Sequence, residues 1–413
     1  MHLIRPFAGL RPAPALAAAV AAPPYDVLSS EEARLRAAGR PWSFLHISRP
    51  EIDLPAGTDP HACAVYAKAA ENLQRMLREG VLLRDARACY YVYRLVLGEH
   101  VQTGLAAVAS VREYDRNRIR RHEHTRPDKE DDRVRQIEAL RAQTGPVLLA
   151  YPPAAPVDAI LNAVAGGRPD FDVTADDGVR HLLWPVGDTE AIERLTALFD
   201  AMPALYIADG HHRSAAASRV AATRRAADPH PSGEAAYEYF LAVAFAHHQM
   251  RILDYNRLVR DLHGNTPQRL LAGLAAAFEV EPSSGTVTPA RQGEFGLYLR
   301  GQWHRLRIRP TLAQVSDPVE RLDVSLLAEH VLRPLLGVAD ARTDQRIECV
   351  GGVRGLAELQ RRVDSGEMAA AFCLYPTRME DLMAVADAGR VMPPKSTWFE
   401  PKLADGLVSH VLE

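Results

Sequence analysis

Residues 205–219 read LYIADGHHRSAAASR. Five apolar residues, Ala204 to Ala208 with their β-branched and aromatic members, predict a short buried strand. Asp209-Gly210 marks a turn, and the alanine-rich run from 212 to 224 predicts a helix starting directly behind it. A strand that turns into a helix N-terminus aims free backbone N–H groups and the positive end of the helix dipole at whatever sits above the strand end. Gly210 lets the backbone approach a ligand closely. Arg213 can grip a phosphate with two parallel hydrogen bonds. His211 and His212 can donate hydrogen bonds or exchange protons near neutral pH. Asp209 can orient a histidine or hold a phosphate-bound metal. The competing reading is a common Asp-Gly turn followed by a solvated helix cap.

The neighbouring segments frame this unit. RHLLWPV at 180–186 predicts a strand and 188–201 a helix, with Ile192, Leu195 and Leu198 on one face and Asp188 or Thr189 as N-cap. Residues 239–246 are apolar. Further upstream, 61–79 predicts an amphipathic helix, 89–96 and 104–111 paired strands, and Val147–Tyr151 a short strand. Downstream, 281–292 reads as a linker or surface loop. Phe295–Arg309 reads as a hairpin with Gly301 at its turn, and helices are expected at 322–335, 355–365 and 379–387, with a strand near 370–375. Strands alternating with helices predict an α/β chain, with α+β left open. The expected division is residues 1–280, an N-terminal α/β region, and 281–413, a smaller C-terminal α+β region.

Length and charge bound the function. The 413 residues suggest about two or three domains. The balance of 49 basic against 52 acidic residues, net −3, argues against a nucleic-acid polymer as partner. Four scattered cysteines (Cys63, Cys89, Cys349, Cys373) predict reduced, mostly buried thiols. An alanine-rich stretch before residue 24 superficially resembles a secretory leader, but Pro12 and Pro14 break it. No apolar run approaches the ~20 residues that span a bilayer. A cytoplasmic location without a membrane partner is expected.

Further stretches carry candidate site residues. Segment 121–133, RHEHTRPDKEDDR, reads either as a solvated charged face or as a mobile loop over a charged substrate. In the second reading Glu123 is a general base, and Arg126, Lys129 and Arg133 clamp phosphate. Its His122-Glu123-His124 run lacks a third ligand at usable spacing, so no metal ligands are assigned. Thr144 and Gly145 can add a hydroxyl and a backbone contact. MPPKSTWFEPK at 392–402 places Lys395, Ser396 and Thr397 together, and Lys402 adds a further positive charge. The glycine pattern of a P-loop is missing, leaving anion binding or a structural clasp. APPYDVLS at 22–29 offers Tyr25 and Asp26 to a pocket, and Arg49 in HISRPEIDLP at 46–55 is a candidate substrate ligand.

The segment around IADGHHR at 207–213 resembles the ParB/sulfiredoxin superfamily, in which a strand–turn–helix unit binds nucleotide phosphates. The resemblance covers about residues 180–260, and the Asp-Gly-His-His-Arg form is similar to its free-serine-kinase branch. Across nearly its whole length the chain also resembles a bacterial family called domain of unknown function ten-fifteen. The matching pieces are RPFAGLRP at 5–12, APPYDVLS, SFLHISRPEIDLP at 43–55, RHEHTRPDKEDDR, AQTGPV at 142–147, IADGHHR, ILDYNR at 252–257 and MPPKSTWFEPK. The superfamily resemblance implies a nucleotide- or pyrophosphate-dependent phosphotransferase. Its acceptor would be free serine or a similar hydroxy amino acid, with Asp188 or Glu190 in the place of the residue that activates the substrate hydroxyl. Mg²⁺ is expected with the donor, and haem, flavin and zinc are not. Alternatives are a phosphoserine phosphatase and a non-catalytic nucleotide-binding regulator. The expected partners are a small phosphate donor and an amino-acid-like substrate.

Overall fold

A computed structural model describes residues 2–341 and 343–413, and the counts below refer to these. The chain forms two compact units: residues up to Met250 together with Pro401–Glu413, and Arg251–Glu400. The expected division near residue 281 falls inside the second unit.

The first unit is built on a nine-stranded mixed sheet. Its strands are β1 (Ile4–Arg5), β2 (Tyr90–Leu97), β3 (His100–Ser110), β4 (Ile119–Arg120), β5 (Val147–Tyr151), β6 (Phe171–Thr174), β7 (Arg180–Val186), β8 (Leu205–Asp209) and β9 (Tyr239–Ala246). The order is β4-β8-β5-β9-β3-β2-β7-β6, with β1 on β3. The central strands carry near-continuous apolar runs because both faces are covered: every residue of β5 and β9 is buried. Gly104 is where β3 needs no side chain, since a Cβ there would stand 2.5 Å from the Ala244 carbonyl oxygen.

The first unit has five longer helices: α1 (Cys63–Arg78), α2 (Pro127–Leu140), α3 (Ala155–Ala165), α4 (Thr189–Asp200) and α5 (His211–Ala227). The small residues Ala215, Ala216, Ala217 and Ala221 form the buried face of α5. The main core joins Leu105, Leu149, Leu195, Phe199, Ile207 and Phe240. Segment 121–133 is not loop throughout: its second half begins α2, whose Pro127 suits a first helical turn. Arg219 on α5 pairs with Glu130 and Asp131, and Arg224 pairs with Glu138, so α2 is laced to α5.

The second unit has a six-stranded antiparallel sheet. Its strands are β10 (Tyr255–Val259), β11 (Phe278–Ser283), β12 (Glu294–Leu299), β13 (Gln302–Ile308), β14 (Ile347–Gly351) and β15 (Ala370–Leu374), in the order β11-β13-β12-β15-β10-β14. The β12–β13 hairpin turns at Arg300 and Gly301, both at positive φ, as expected for a tight two-residue turn. The anticipated helix at 322–335 is shorter, Asp323–Leu327, followed by one wide turn at Ala328–Leu332. All four cysteines are free, but only Cys373 is buried, against the expectation of mostly buried thiols. No helix among the described residues is long and apolar enough to cross a membrane.

Candidate functional site

β4 and β8 run parallel, with Ile119 opposite Leu205 and Arg120 opposite Tyr206. Both chains therefore arrive at the same sheet edge, one delivering His122-Glu123 and the other Asp209-Gly210-His211. Gly210 sits at φ +101°, the left-handed conformation that a side chain strains, and it starts α5. His211, the first residue of α5, points inward and is 4% exposed, beside His122 at 2%. Their rings meet edge to face with centroids 4.4 Å apart. Glu123 Oε2 lies 3.7 Å from His211 Nδ1. Burial pushes the His122 imidazole down to about 4. Burial, and then the neighbouring His122, hold His211 well below the ordinary histidine range. Both rings are neutral at pH 7 for this reason. Among the described residues, His122, Glu123 and His211 bring one ligand atom each within 4.8 Å of the others. The third ligand that the His122-Glu123-His124 run lacks in sequence is supplied by His211, and His124 has no part in it.

Next to this trio lies a charged set. Lys402 Nζ is 3.0 Å from Asp209, and Arg213 is 3.7 Å from the same carboxylate. Burial alone would raise the Asp209 carboxyl; Lys402, then Arg213, hold it below the ordinary carboxylate range. Arg213 also donates to the Pro146 carbonyl. Asp26 is exposed, and its negative charge acts on both Arg213 and Lys402. His212 faces outward and accepts a hydrogen bond from the Arg126 backbone N–H at 3.1 Å, fixing the bend that precedes α2.

Arg213 also forms one wall of a pocket lined by Tyr25, Arg133, Thr144, Gly145 and Asp405. Arg133 lies over the Tyr25 ring at 3.8 Å and pairs with Asp132. Burial pushes the Tyr25 hydroxyl up to about 12. Asp405 is 2% exposed, its Oδ1 has no hydrogen-bond partner, and burial pushes its carboxyl up to about 7. It reaches the pocket through a backbone bridge between Ala22 and Asp405.

Tertiary structure thus gathers Tyr25, Asp26, Glu123, Arg133, Thr144, Asp209, Gly210, His211 and Arg213 into one region of the first unit. Other candidates take different places. Asp188 is the N-cap of α4, its carboxylate accepting from the Ala191 N–H at 2.9 Å. The order β8-β5-β9-β3-β2-β7 puts it five strand spacings away, ~24 Å along the sheet, so it is a cap and not part of this cluster. Glu190, its alternative, follows on the same helix. Arg49 binds Glu51 and the Ser30 hydroxyl and braces the Tyr25 backbone carbonyl, so its role is to hold that loop. The Arg126 side chain is exposed and tied to Asp128, and Lys129 is exposed on α2.

Lys395, Ser396 and Thr397 belong to the second unit. There the buried Arg257 donates to the Lys395 carbonyl at 2.8 Å. The Ser396 hydroxyl donates to the Pro393 carbonyl at 2.5 Å, and the Ser396 carbonyl accepts from Thr377. This is the clasp reading of the segment, with the Ser396 hydroxyl already engaged. Asp405 carries no sequence signal except a further Asp-Gly pair, Asp405-Gly406, shortly after Lys402.

A family model described as "Protein of unknown function (DUF1015)" matches residues 4–325. No curated protein matches the chain. Among solved structures, the chain is similar to a free serine kinase variant in complex with AMP. The two share 13% identity at a TM-score of 0.36, over 71% of this chain and 87% of that one. It is also similar to a conserved hypothetical protein from Pyrococcus furiosus, at 15% identity and a TM-score of 0.35, over 73% and 93%. A third is SbnI with C-terminal truncation from Staphylococcus aureus, at 10% identity and a TM-score of 0.37, over 73% and 85%.

Proposed function

The chain belongs to the DUF1015 family, and on that premise we propose that it is a nucleotide- or pyrophosphate-dependent phosphotransferase whose acceptor is a small hydroxy amino acid such as free serine. The observation that carries the reading is the pocket where two largely buried guanidiniums, Arg133 and Arg213, face a buried carboxylate with an unpartnered oxygen, Asp405. A zwitterionic amino acid complements that arrangement. Its carboxylate suits the arginines, and its ammonium suits Asp405. Burying either charge is tolerable only when such partners are present.

The donor belongs at the α5 N-terminus. The N–H groups of the first turn have no helical partner, and Gly210 leaves the approach open. Lys402 and Arg213 add positive charge beside Asp209. The acceptor hydroxyl oxygen attacks the donor's terminal phosphorus, and the bond from phosphorus to the leaving phosphate breaks. The hydroxyl proton passes to the Glu123 carboxylate. Mg²⁺ prefers oxygen ligands in octahedral geometry. Asp209 is already neutralised by Lys402 and Arg213, so Mg²⁺ fits this site as a companion of the donor's phosphates and not in a dedicated carboxylate cage.

The test is incubation of the purified full chain with serine, Mg²⁺ and ATP, ADP or pyrophosphate, with phosphoserine measured by mass spectrometry. Loss of added phosphoserine is followed in parallel. Phosphoserine should form with at least one donor, and Glu123→Gln and Arg213→Ala should each lower the rate by about 100-fold or more. Full turnover in both variants would refute the assignment. Net hydrolysis of phosphoserine with no forward reaction would make the protein a phosphatase, and nucleotide binding without turnover would make it a sensor.

A further inference from the structure

We propose that His122, Glu123 and His211 form a binding site for a divalent first-row transition ion of the zinc–manganese class, distinct from any Mg²⁺ that travels with a phosphate donor. Three observations place the site. The three side chains converge from two separate stretches of chain, with one ligand atom from each lying within 4.8 Å of the others. Three ligands about a four-coordinate ion with bonds near 2.1 Å stand about 3.4 Å apart. His211 Nδ1 and Glu123 Oε2, at 3.7 Å, are already close to that spacing.

The second observation is the state of His122. Its ring bonds to the Ile207 backbone carbonyl, yet its fully enclosed Nδ1 has no hydrogen-bond partner. A histidine held by a carbonyl through one nitrogen, with the other nitrogen unpartnered, is the usual arrangement of a metal ligand and its outer support. Without an ion, this buried acceptor is left unsatisfied.

The third observation is ligand type. Two imidazoles and one carboxylate suit zinc, manganese, iron or cobalt far better than magnesium or calcium. Three protein ligands also leave at least one position open to water or a phosphate oxygen, as in catalytic zinc sites. The two oxygens of Glu123 allow one to hold the ion while the other accepts a proton, so the site is compatible with the base role proposed above without depending on it.

The full chain, stripped with a chelator and dialysed free of it, is titrated with Zn²⁺, Mn²⁺ or Co²⁺ and no substrate. Calorimetry gives stoichiometry, and the visible absorption of Co²⁺ reports nitrogen–oxygen coordination. One ion per chain is expected. His122→Gln and His211→Gln should each weaken binding by at least about tenfold, whereas His124→Ala should bind as the unaltered protein does, because the exposed His124 is no ligand. The Co²⁺ spectrum of the conservative Glu123→Gln variant should change even if that variant still binds. No stoichiometric ion in the unaltered chain, or equal affinity in both folded histidine-to-glutamine variants, would overturn the site. So would loss of binding in His124→Ala. Stoichiometric binding with no phosphoserine formed under any donor would refute the proposed function and leave this site standing. Turnover with Mg²⁺ in a chain that binds no transition ion would do the reverse.

Discussion

Replacing Asp405 with asparagine removes a titrating group from the pocket while keeping its size. The native carboxyl is raised from its ordinary 3.8 to about 7 by burial. At about 1.4 kcal/mol per pKa unit, that difference corresponds to roughly 4 kcal/mol. Between these two values the native state keeps a proton that the unfolded chain has released. Stability therefore falls as pH rises through the window, and the full loss is reached above about pH 7. Asp405→Asn has no such proton. The stability of the variant relative to the unaltered chain should rise by roughly 2–3 kcal/mol between pH 5 and pH 8. Urea unfolding of both proteins at each pH measures this. Taking the difference at the same pH cancels the contributions of Asp209, His122 and every other group. A difference that stays flat, within about 0.5 kcal/mol, would show that Asp405 is ionised in the folded protein across the range. The pocket would then lack the proton-holding carboxyl inferred here. A bound amino acid gives the same group a partner, so saturating serine should shrink the pH dependence of the unaltered chain.

Three other outcomes test the local architecture. Lys402→Met leaves Asp209 with Arg213 alone; since both side chains are partly exposed, the expected cost is about 1–2 kcal/mol in urea unfolding, with weaker phosphate binding. Gly210→Ala forces a Cβ into the left-handed region and places it 3.0 Å from Arg213 Nε, so a loss of about 1–2 kcal/mol and a misplaced guanidinium should appear as a lower Tm and a raised donor KM. Asp188→Ala removes a helix cap and nothing else, and should cost about 1 kcal/mol of stability with an unchanged rate of phosphoserine formation; a lost rate would return Asp188 to the site.

The strand–turn–helix at residues 205–227 was legible because its signals are local. An apolar run, one glycine at an obligatory left-handed position and an alanine-rich helix each declare themselves within a few residues. The same locality explains why Asp188 was legible as a cap. What escaped was the length of the order in 121–133. The helix expected to follow this charged stretch already begins within it, at Pro127, and several of its charges are spent on α5 instead of on a ligand. Segment 392–402 divides for a similar reason. Its Lys-Ser-Thr run satisfies the backbone needs of the second unit, while Lys402, a few residues on, pairs with Asp209 in the first.

Sequence by itself determined that residues 209–213 end a buried strand and open a helix, a place where backbone N–H groups meet an anion. It also placed Glu123 and Arg133 among the candidates, from residue type alone. Only tertiary structure decided which of these residues meet. The parallel pairing of Ile119–Arg120 with Leu205–Tyr206 brings His122 against His211, 89 positions away. The backbone bridge from Ala22 to Asp405 closes the pocket with a carboxylate from the other end of the chain. Strand pairing is a long-range choice, made by burial of whole apolar faces and not by the polar residues it carries along. The site's composition was therefore written in local residues, and its assembly in the sheet.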